Sequence, residues 1–328
     1  MHGFNMIYEL QSEHIFYNVL LNLLTFLKNK HYEFTVITPL THQRILNRRK
    51  KPNISTISLR DIFGWNLPFE ANDLESQLFS QLLNTGLISL QNGKYISQIR
   101  IASLADELFI HSAFPTDEQN AVFFGPDTYR FYYHLKQYLL NRKTPIHQAI
   151  ELCCGTSAVA LSIAKKFPSI NQIITVDLNP KALMYSQIHK DFMKCKHILP
   201  IMGDLLGNIN QKFDLIFANP PYIMDIKQRQ YRHGGTALEG SEIAFKILEQ
   251  GINKLTSTGS LFLYTGIAID DQGQNKFLES LKIWIQKHPN FQYHYEEVDS
   301  DVFGEELDLP HYQHIERIAI GIILIEHK

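Results

Sequence analysis

The run Phe213-Asp-Leu-Ile-Phe-Ala-Asn219-Pro220-Pro221-Tyr222 ends an apolar stretch in an asparagine, two prolines and an aromatic ring. The prolines fix φ and remove two N–H donors, so carbonyls in that turn stay free to accept hydrogen bonds. The Asn219 amide oxygen is a further acceptor. Together these groups can hold an –NH2 by its two hydrogens and aim its lone pair. Tyr222 offers a flat face to a planar amide or base. Taken alone, the turn also reads as an ordinary Asn-Pro strand exit over a buried tyrosine. Three acids add to it. Glu151 opens the small-residue turn Cys153-Cys154-Gly155-Thr156-Ser157, Asp177 closes a second apolar run, and Asp204 follows a third. A dinucleotide site wants Gly-x-Gly-x-x-Gly, so that backbone can approach a pyrophosphate, and only Gly155 is present. An acid at a strand end suits a cationic ligand better. A second can accept two ribose hydroxyls, and a third an adenine amino group. Each acid singly reads as a helix cap or loop carboxylate. Three at successive strand ends read jointly as an adenosine site.

The elements that must carry these residues follow from periodicity. Short apolar runs alternate with helical segments: Gln148–Leu152 then 157–167, Gln172–Val176 then 180–193, Leu215–Ala218 then 241–255, Ser260–Tyr264 then 274–287. That alternation predicts a parallel α/β sheet with helices on both faces. Phe291–Val298 and Ile315–Ile325 are strand-like with no helix between them, which predicts an antiparallel pair at the sheet's end. No repeat or low-complexity segment interrupts the chain.

The first 120 residues read differently. Residues 13–29 carry apolar positions at helical spacing, and Tyr32–Ile37 reads as a strand stopped at Thr38-Pro39. Residues 72–86 form a capped helix ending at Gly86. Leu87–Leu90 and Tyr95–Ile101 flank Asn92-Gly93, a strong hairpin signal. A helix followed by a hairpin over 72–101 resembles the last helix and wing of a winged-helix module, which either binds nucleic acid or serves as a packing unit. The division expected is 1–120, an α+β recognition domain, and 121–328, the catalytic domain.

Composition sets the outer bounds. The 328 residues carry 31 Lys+Arg against 33 Asp+Glu, with 45% apolar and 20% charged residues, which excludes disorder and fibrous classes. Residues 1–149 hold 14 basic and 12 acidic groups, residues 150–328 hold 17 and 21, so the halves differ in sign. Three cysteines, Cys153, Cys154 and Cys195, build neither a disulfide framework nor a zinc knuckle, and no metal site is expected. No signal peptide is visible in the first twenty residues and no apolar run is long enough to span a membrane, so a cytoplasmic protein is expected. Arg44, Arg48, Arg49, Lys50 and Lys51 crowd eight positions. Such a run is commonly a solvated loop, with partner contact as the alternative.

Residues from about 125 to 265 resemble class I S-adenosylmethionine-dependent methyltransferases of the Asn-Pro-Pro-Tyr type. These include the release-factor glutamine methyltransferases (HemK/PrmC-like) and the small-domain rRNA guanine methyltransferases. The motif Asn219-Pro220-Pro221-Tyr222 is the specific part. The first turn is the least specific, because the family usually reads Asp-Leu-Gly-x-Gly-x-Gly where this chain has Cys153 and Ser157. The resemblance implies a Rossmann-like seven-stranded sheet and S-adenosyl-L-methionine as cofactor, with S-adenosyl-L-homocysteine as product. It implies cofactor contacts at Glu151, Cys153, Gly155, Asp177, Leu178, Asp204, Leu205 and Asn219. Catalysis would rest on Asn219, Pro220 and Tyr222, and substrate would meet Pro221, Tyr222, Gly234 and Gly235. The last two belong to Tyr231-Arg-His-Gly234-Gly235, similar to the Gly-rich segment that borders substrate in glutamine methyltransferases. Asp127 and Thr128 fall where the family has a segment covering the cofactor; a helix start capped by Asp127 is equally compatible with the sequence.

The substrate is left open between a protein glutamine, an RNA or DNA base and a small metabolite, and a cofactor-binding module without catalysis is the alternative from another class. The missing glycine fingerprint disfavours a nicotinamide oxidoreductase. The acidic run Asp299–Glu306 reads as a solvated loop rather than a lip over substrate. His311 and His314 read as surface residues.

Overall fold

The computed structural model describes residues 2–49, 57–207 and 209–328, with backbone alone for residues 2–13. Helix α1 (His2–Asn29) precedes an extended segment, then α2 (Pro39–Arg49), α3 (Leu59–Phe63) and α4 (Ser76–Asn84). Strands β1 (Ile88–Gln91) and β2 (Lys94–Ser97) form the expected hairpin. Asn92 and Gly93 take φ of 51° and 81°, the left-handed pair that a tight two-residue turn needs. Phe69 joins β2 through two backbone bonds of 2.9 Å with Tyr95, adding a short third strand to the hairpin.

Two expectations in this region are corrected. Tyr32–Ile37 is extended but is no ladder strand. Its side chains Tyr32, Phe34 and Val36 are buried as alternation requires, yet its one backbone bond to a strand is from the Ser103 N–H to the Phe34 carbonyl at 2.9 Å, while the Tyr32 N–H turns back to the Leu27 carbonyl at 3.0 Å. The run expected as Tyr95–Ile101 breaks at Gln98. Its second part opens another hairpin, β3 (Ile99–Leu104) with β4 (Glu107–Ser112). Ala105 and Asp106 turn it with φ of 50° and 64°. Alanine is a weak turn signal, which hid this hairpin in the sequence.

The rest is one α/β layer system. Gly125 caps α5 (Pro126–Asn141), whose first residue is the proline that favours that position. Then follow β5 (Gln148–Leu152), α6 (Ala158–Lys166), β6 (Gln172–Asp177), α7 (Pro180–Phe192), β7 (Ile198–Met202), β8 (Phe213–Ala218), α8 (Glu242–Gly251), β9 (Leu255–Asp270), α9 (Lys276–Gln286), β10 (Phe291–Asp299) and β11 (Ile315–His327). The sheet order is β7-β6-β5-β8-β9-β11-β10. Renumbered one to seven along the chain, that is 3-2-1-4-5-7-6, with only β11 running against its neighbours. The two tail strands pair antiparallel as expected, but the last strand of the chain slots inside the sheet and leaves β10 at the edge.

One hydrophobic cluster runs across the boundary expected near residue 120. It joins Leu20, Phe34 and Phe109 to Phe131, Ile163 and Tyr185. Polar ties cross it too. Lys28 of α1 and Lys165 of α6 both pair with Glu107 of β4. His189 of α7 bonds the Thr156 carbonyl at 3.1 Å and accepts from the Ile110 N–H at 2.8 Å. Burial lowers His189 to about 4, so the ring is neutral and bridges β4 to the first turn after β5.

Candidate active site

A cavity of about 460 Å³ opens outside the carboxyl ends of β5, β6 and β8, where the strand order reverses. Its wall takes in Glu151, Cys153, Gly155, Asp177, Leu178, Asp204, Leu205, Asn219 and Pro221, all expected from the sequence, and Thr128. Pro220, Tyr222, Gly234, Gly235 and Asp127 are not part of that wall.

The first turn keeps a glycine-like backbone without the glycines. Cys153, Gly155 and Ser157 take φ of 54°, 52° and 54°. An L side chain in that region costs about 1–2 kcal/mol, against roughly 0.5–1 kcal/mol of glycine entropy. Ser157 offsets its cost by bonding Ser186 through buried hydroxyls 2.5 Å apart. Cys153 has no such bond among the described residues. Cys153→Gly is therefore expected to be slightly stabilising. Ser157→Gly strands the Ser186 hydroxyl and should fall below Cys153→Gly by about 1–2 kcal/mol in denaturant melts. Equal stabilities would refute that account of the turn.

Glu151 is buried, and its Oε2 accepts the Ala160 N–H at 3.2 Å in the first turn of α6. Burial pushes its carboxyl well up, and the neighbouring Asp177 adds to this. Asp177 takes the Gly155 N–H at 2.8 Å and the Asn179 N–H at 2.9 Å, which locks the first turn to the end of β6. Burial raises Asp177 as well. Two acids strained toward neutrality on one wall are what a cationic ligand relieves.

Asn219 lies at the end of β8. Its Oδ1 is buried, and among the described residues nothing donates to it. Among the described residues no donor reaches the Pro220 carbonyl either. A buried acceptor without a partner is rare in folded proteins.

Tyr222 departs from the sequence expectation. Its ring is only 7% exposed, so no open face is presented to a substrate. The hydroxyl donates to Asp127 Oδ2 at 2.7 Å, and Tyr264 donates to Asp127 Oδ1 at 2.9 Å. Burial, with Asp127 beside them, raises both phenols far above the usual range, so both remain donors. Gly266 underlies the Tyr222 ring, where any Cβ would collide, and Phe303 meets it edge-on at 5.8 Å. Asp127 thus neither caps α5 nor faces the cavity. It is the anchor of Tyr222, and Arg130 binds it at 3.0 Å while reaching Asp299 at 2.9 Å.

The acidic tail is solvated only in part: Asp301 and Glu305 are exposed, while Asp299 and Glu306 are engaged. Glu306 pairs with Arg232, the Met224 N–H donates to the Tyr312 hydroxyl at 2.9 Å, and Arg232 stacks on Phe303 at 5.0 Å. Residues 299–312 therefore brace the loop after Tyr222 from behind. Gly234 serves the same loop. A side chain there would strike the Pro221 carbonyl and the Tyr222 backbone, so the position supports the turn without lining the cavity.

Several wall residues carried no sequence signal of their own. Phe123 stacks on Tyr231 at 5.7 Å, and His233, Gln228 and Gln230 complete that side. The Tyr231 hydroxyl donates to the Thr116 carbonyl at 2.7 Å, so this loop is tied to the segment before α5. Of the basic cluster, Arg44 and Arg48 are exposed on α2, and Arg49 is spent on Asp61 and the face of Trp65 at 4.9 Å. Lys50 and Lys51 lie outside the described residues. His314 meets Glu239 at 2.7 Å. Among the described residues, no helix is long and apolar enough to cross a membrane.

The strand order and the acid-lined cavity beneath an Asn-Pro-Pro-Tyr turn define a class I methyltransferase domain. Residues 135–281 match the methyltransferase small domain family. A release factor glutamine methyltransferase of Borreliella burgdorferi is 31% identical over 124 residues, which is 35% of this chain and 43% of that protein. A ribosomal protein uL3 glutamine methyltransferase of Neisseria meningitidis is 28% identical over 131 residues, 37% of this chain and 43% of that protein. The matched region spans less than half the length of either relative. Among solved structures, TYW2 of M. jannaschii in complex with AdoMet aligns with a TM-score of 0.47 and 13% identity over 74% of this chain and 94% of that one.

Proposed function

We propose that this chain transfers a methyl group from S-adenosyl-L-methionine to a planar amide or amine nitrogen of a macromolecule, leaving S-adenosyl-L-homocysteine. The observation that carries this reading is the pair of acceptors without a partner among the described residues, Asn219 Oδ1 and the Pro220 carbonyl, beside a wall carrying Glu151, Asp177 and Asp204. The cofactor supplies an activated methyl group on a sulfonium that carries its own leaving group. Glu151 and the Gly155 turn would hold its methionine end, Asp177 its ribose, and Asp204 and Leu205 its adenine. Asn219 and Pro220 would take both hydrogens of the target nitrogen, turning its lone pair toward the methyl in line. Those bonds strengthen as positive charge develops on nitrogen, so they favour the transition state over the ground state. No general base is assigned.

A protein glutamine amide is the first-choice substrate, on the likeness to proteins named as glutamine methyltransferases. An RNA base is the second reading, favoured by the exposed Arg44 and Arg48 of α2. A cytoplasmic location is consistent with either. Labelled S-adenosyl-L-methionine incubated with fractionated lysate separates the two. Label lost to protease but kept through RNase supports the glutamine reading, the converse supports RNA, and no macromolecular label overturns both.

Asp177→Ala should weaken cofactor binding about 10- to 100-fold by calorimetry. It removes a charged acceptor and frees the Gly155 turn it holds. Unchanged affinity would remove Asp177 from the site.

A further inference from the structure

We infer that Arg100 is the centre of a buried binding site for a small oxyanion, separate from the cavity described above. Arg100 lies on β3, paired across the hairpin with His111 of β4, and is only 5% exposed. Its guanidinium has five N–H donors, and among the described residues one of them is used, Nε to the Ser112 carbonyl at 3.3 Å. The groups that act on its charge from within the fold are the phenols Tyr32 and Tyr129; no carboxylate among the described residues faces it. A guanidinium taken out of water without an anion is strongly disfavoured. The segment Lys50–Thr56 holds no acid that might supply one. Glu9 stands twenty residues ahead of Asn29 in α1, about 30 Å by helical rise from the end that leads to Tyr32.

Among the described residues, the surroundings repeat the same deficit. His42 is fully buried, and its Nε2 meets the Trp65 carbonyl at 3.1 Å while Nδ1 has no partner. His111 leaves Nε2 unpartnered, and the Trp65 indole N–H is buried without an acceptor. Burial and the Arg100 charge together lower His42 to about 4, and they lower His111 as well. Both rings are thus neutral while the guanidinium stands alone. The Phe114 ring packs under Arg100 at 5.9 Å and against His42 at 4.4 Å, which gives the group an apolar floor. Fixed positive charge, an idle indole donor and two histidines able to become donors are the recognition chemistry of a carboxylate or phosphate group.

The chain has two tryptophans, Trp65 and Trp284, so in a Trp284→Phe background Trp65 fluorescence reports on this site alone. Inorganic phosphate and, in a parallel arm, acetate are titrated into the full chain at ionic strength held constant with chloride. A saturable change in Trp65 emission is expected, and whichever anion binds at lower concentration assigns phosphate or carboxylate. Arg100→Met should abolish the response, and Arg100→Lys, which keeps charge but loses the planar fork, should weaken it about tenfold or more. In chloride buffer alone, Arg100→Met should melt at or above the parent temperature, because it removes an uncompensated charge. The proposal is overturned by no saturable response in the parent, by a response that survives Arg100→Met, or by Arg100→Met melting several degrees below the parent, which would mean that the guanidinium is already satisfied within the fold.

Discussion

Asn219→Ala is expected to lower kcat by about 10²–10³-fold while cofactor affinity and folding stability stay near the parent values. The magnitude follows from the cost of removing one preorganised group that meets developing charge in a transition state. The split between turnover and binding follows from the geometry. Asn219 Oδ1 has no partner among the described residues, so its loss breaks no bond seen to hold the chain together. The acids of the cofactor wall are fixed independently: Glu151 by the α6 amide of Ala160 and Asp177 by the amides of Gly155 and Asn179. Single-turnover rates measured beside calorimetric cofactor affinity make the test. A parent rate in Asn219→Ala would remove the acceptor pair from the mechanism. A lost rate together with lost cofactor affinity would move Asn219 from the target nitrogen to the cofactor.

What could be read from the sequence, and what could not, divides along the range of the interactions involved. The parallel strands announce themselves because each is a short apolar run bounded by a helix with 3.6-residue spacing, and Glu151, Asp177 and Asp204 stand at the ends of those runs. All three line the cavity for that local reason. The role of Tyr222 was not legible. Its partner Asp127 lies 95 positions away, and an aromatic after two prolines reads equally as a stacking face or as a buried anchor. The tail misled in the same way. Asp299 and Glu306 belong to a charge run that looks solvated until Arg130 and Arg232 arrive from other elements. The β3–β4 hairpin stayed hidden because Ala105 takes a left-handed conformation that its residue type disfavours. The unmet donors around Arg100 could not be seen at all, since an unpaired charge is a statement about every neighbour at once.

Asp127→Ala is expected to be the most destructive single change behind the cavity wall, costing about 3–5 kcal/mol of stability. It takes the acceptor from two buried phenols, at about 1–3 kcal/mol each, while Arg130 keeps its pair with Asp299. Stability loss alone would not separate a structural carboxylate from one that positions the catalytic turn, so Tyr222→Phe carries the finer test. That change keeps the ring against Gly266 and Phe303 and removes only the hydroxyl bonded to Asp127. With the ring free to shift, the Pro220 and Pro221 backbone loses one of its two fixed ends. Turnover should fall about tenfold, with cofactor affinity unchanged, as for the loss of one buried hydrogen bond expressed at the reacting nitrogen. Asp127→Asn keeps an acceptor for one phenol and should fall between the two. Combined with Tyr222→Phe it should cost less than the sum of the single changes, because both act through one bond. Strict additivity of the pair in kcat would show that Asp127 supports the fold without directing Tyr222. The Arg130–Asp299 link extends the same logic to the tail. Asp299→Ala leaves the phenol bond intact and should lower turnover less than Tyr222→Phe does.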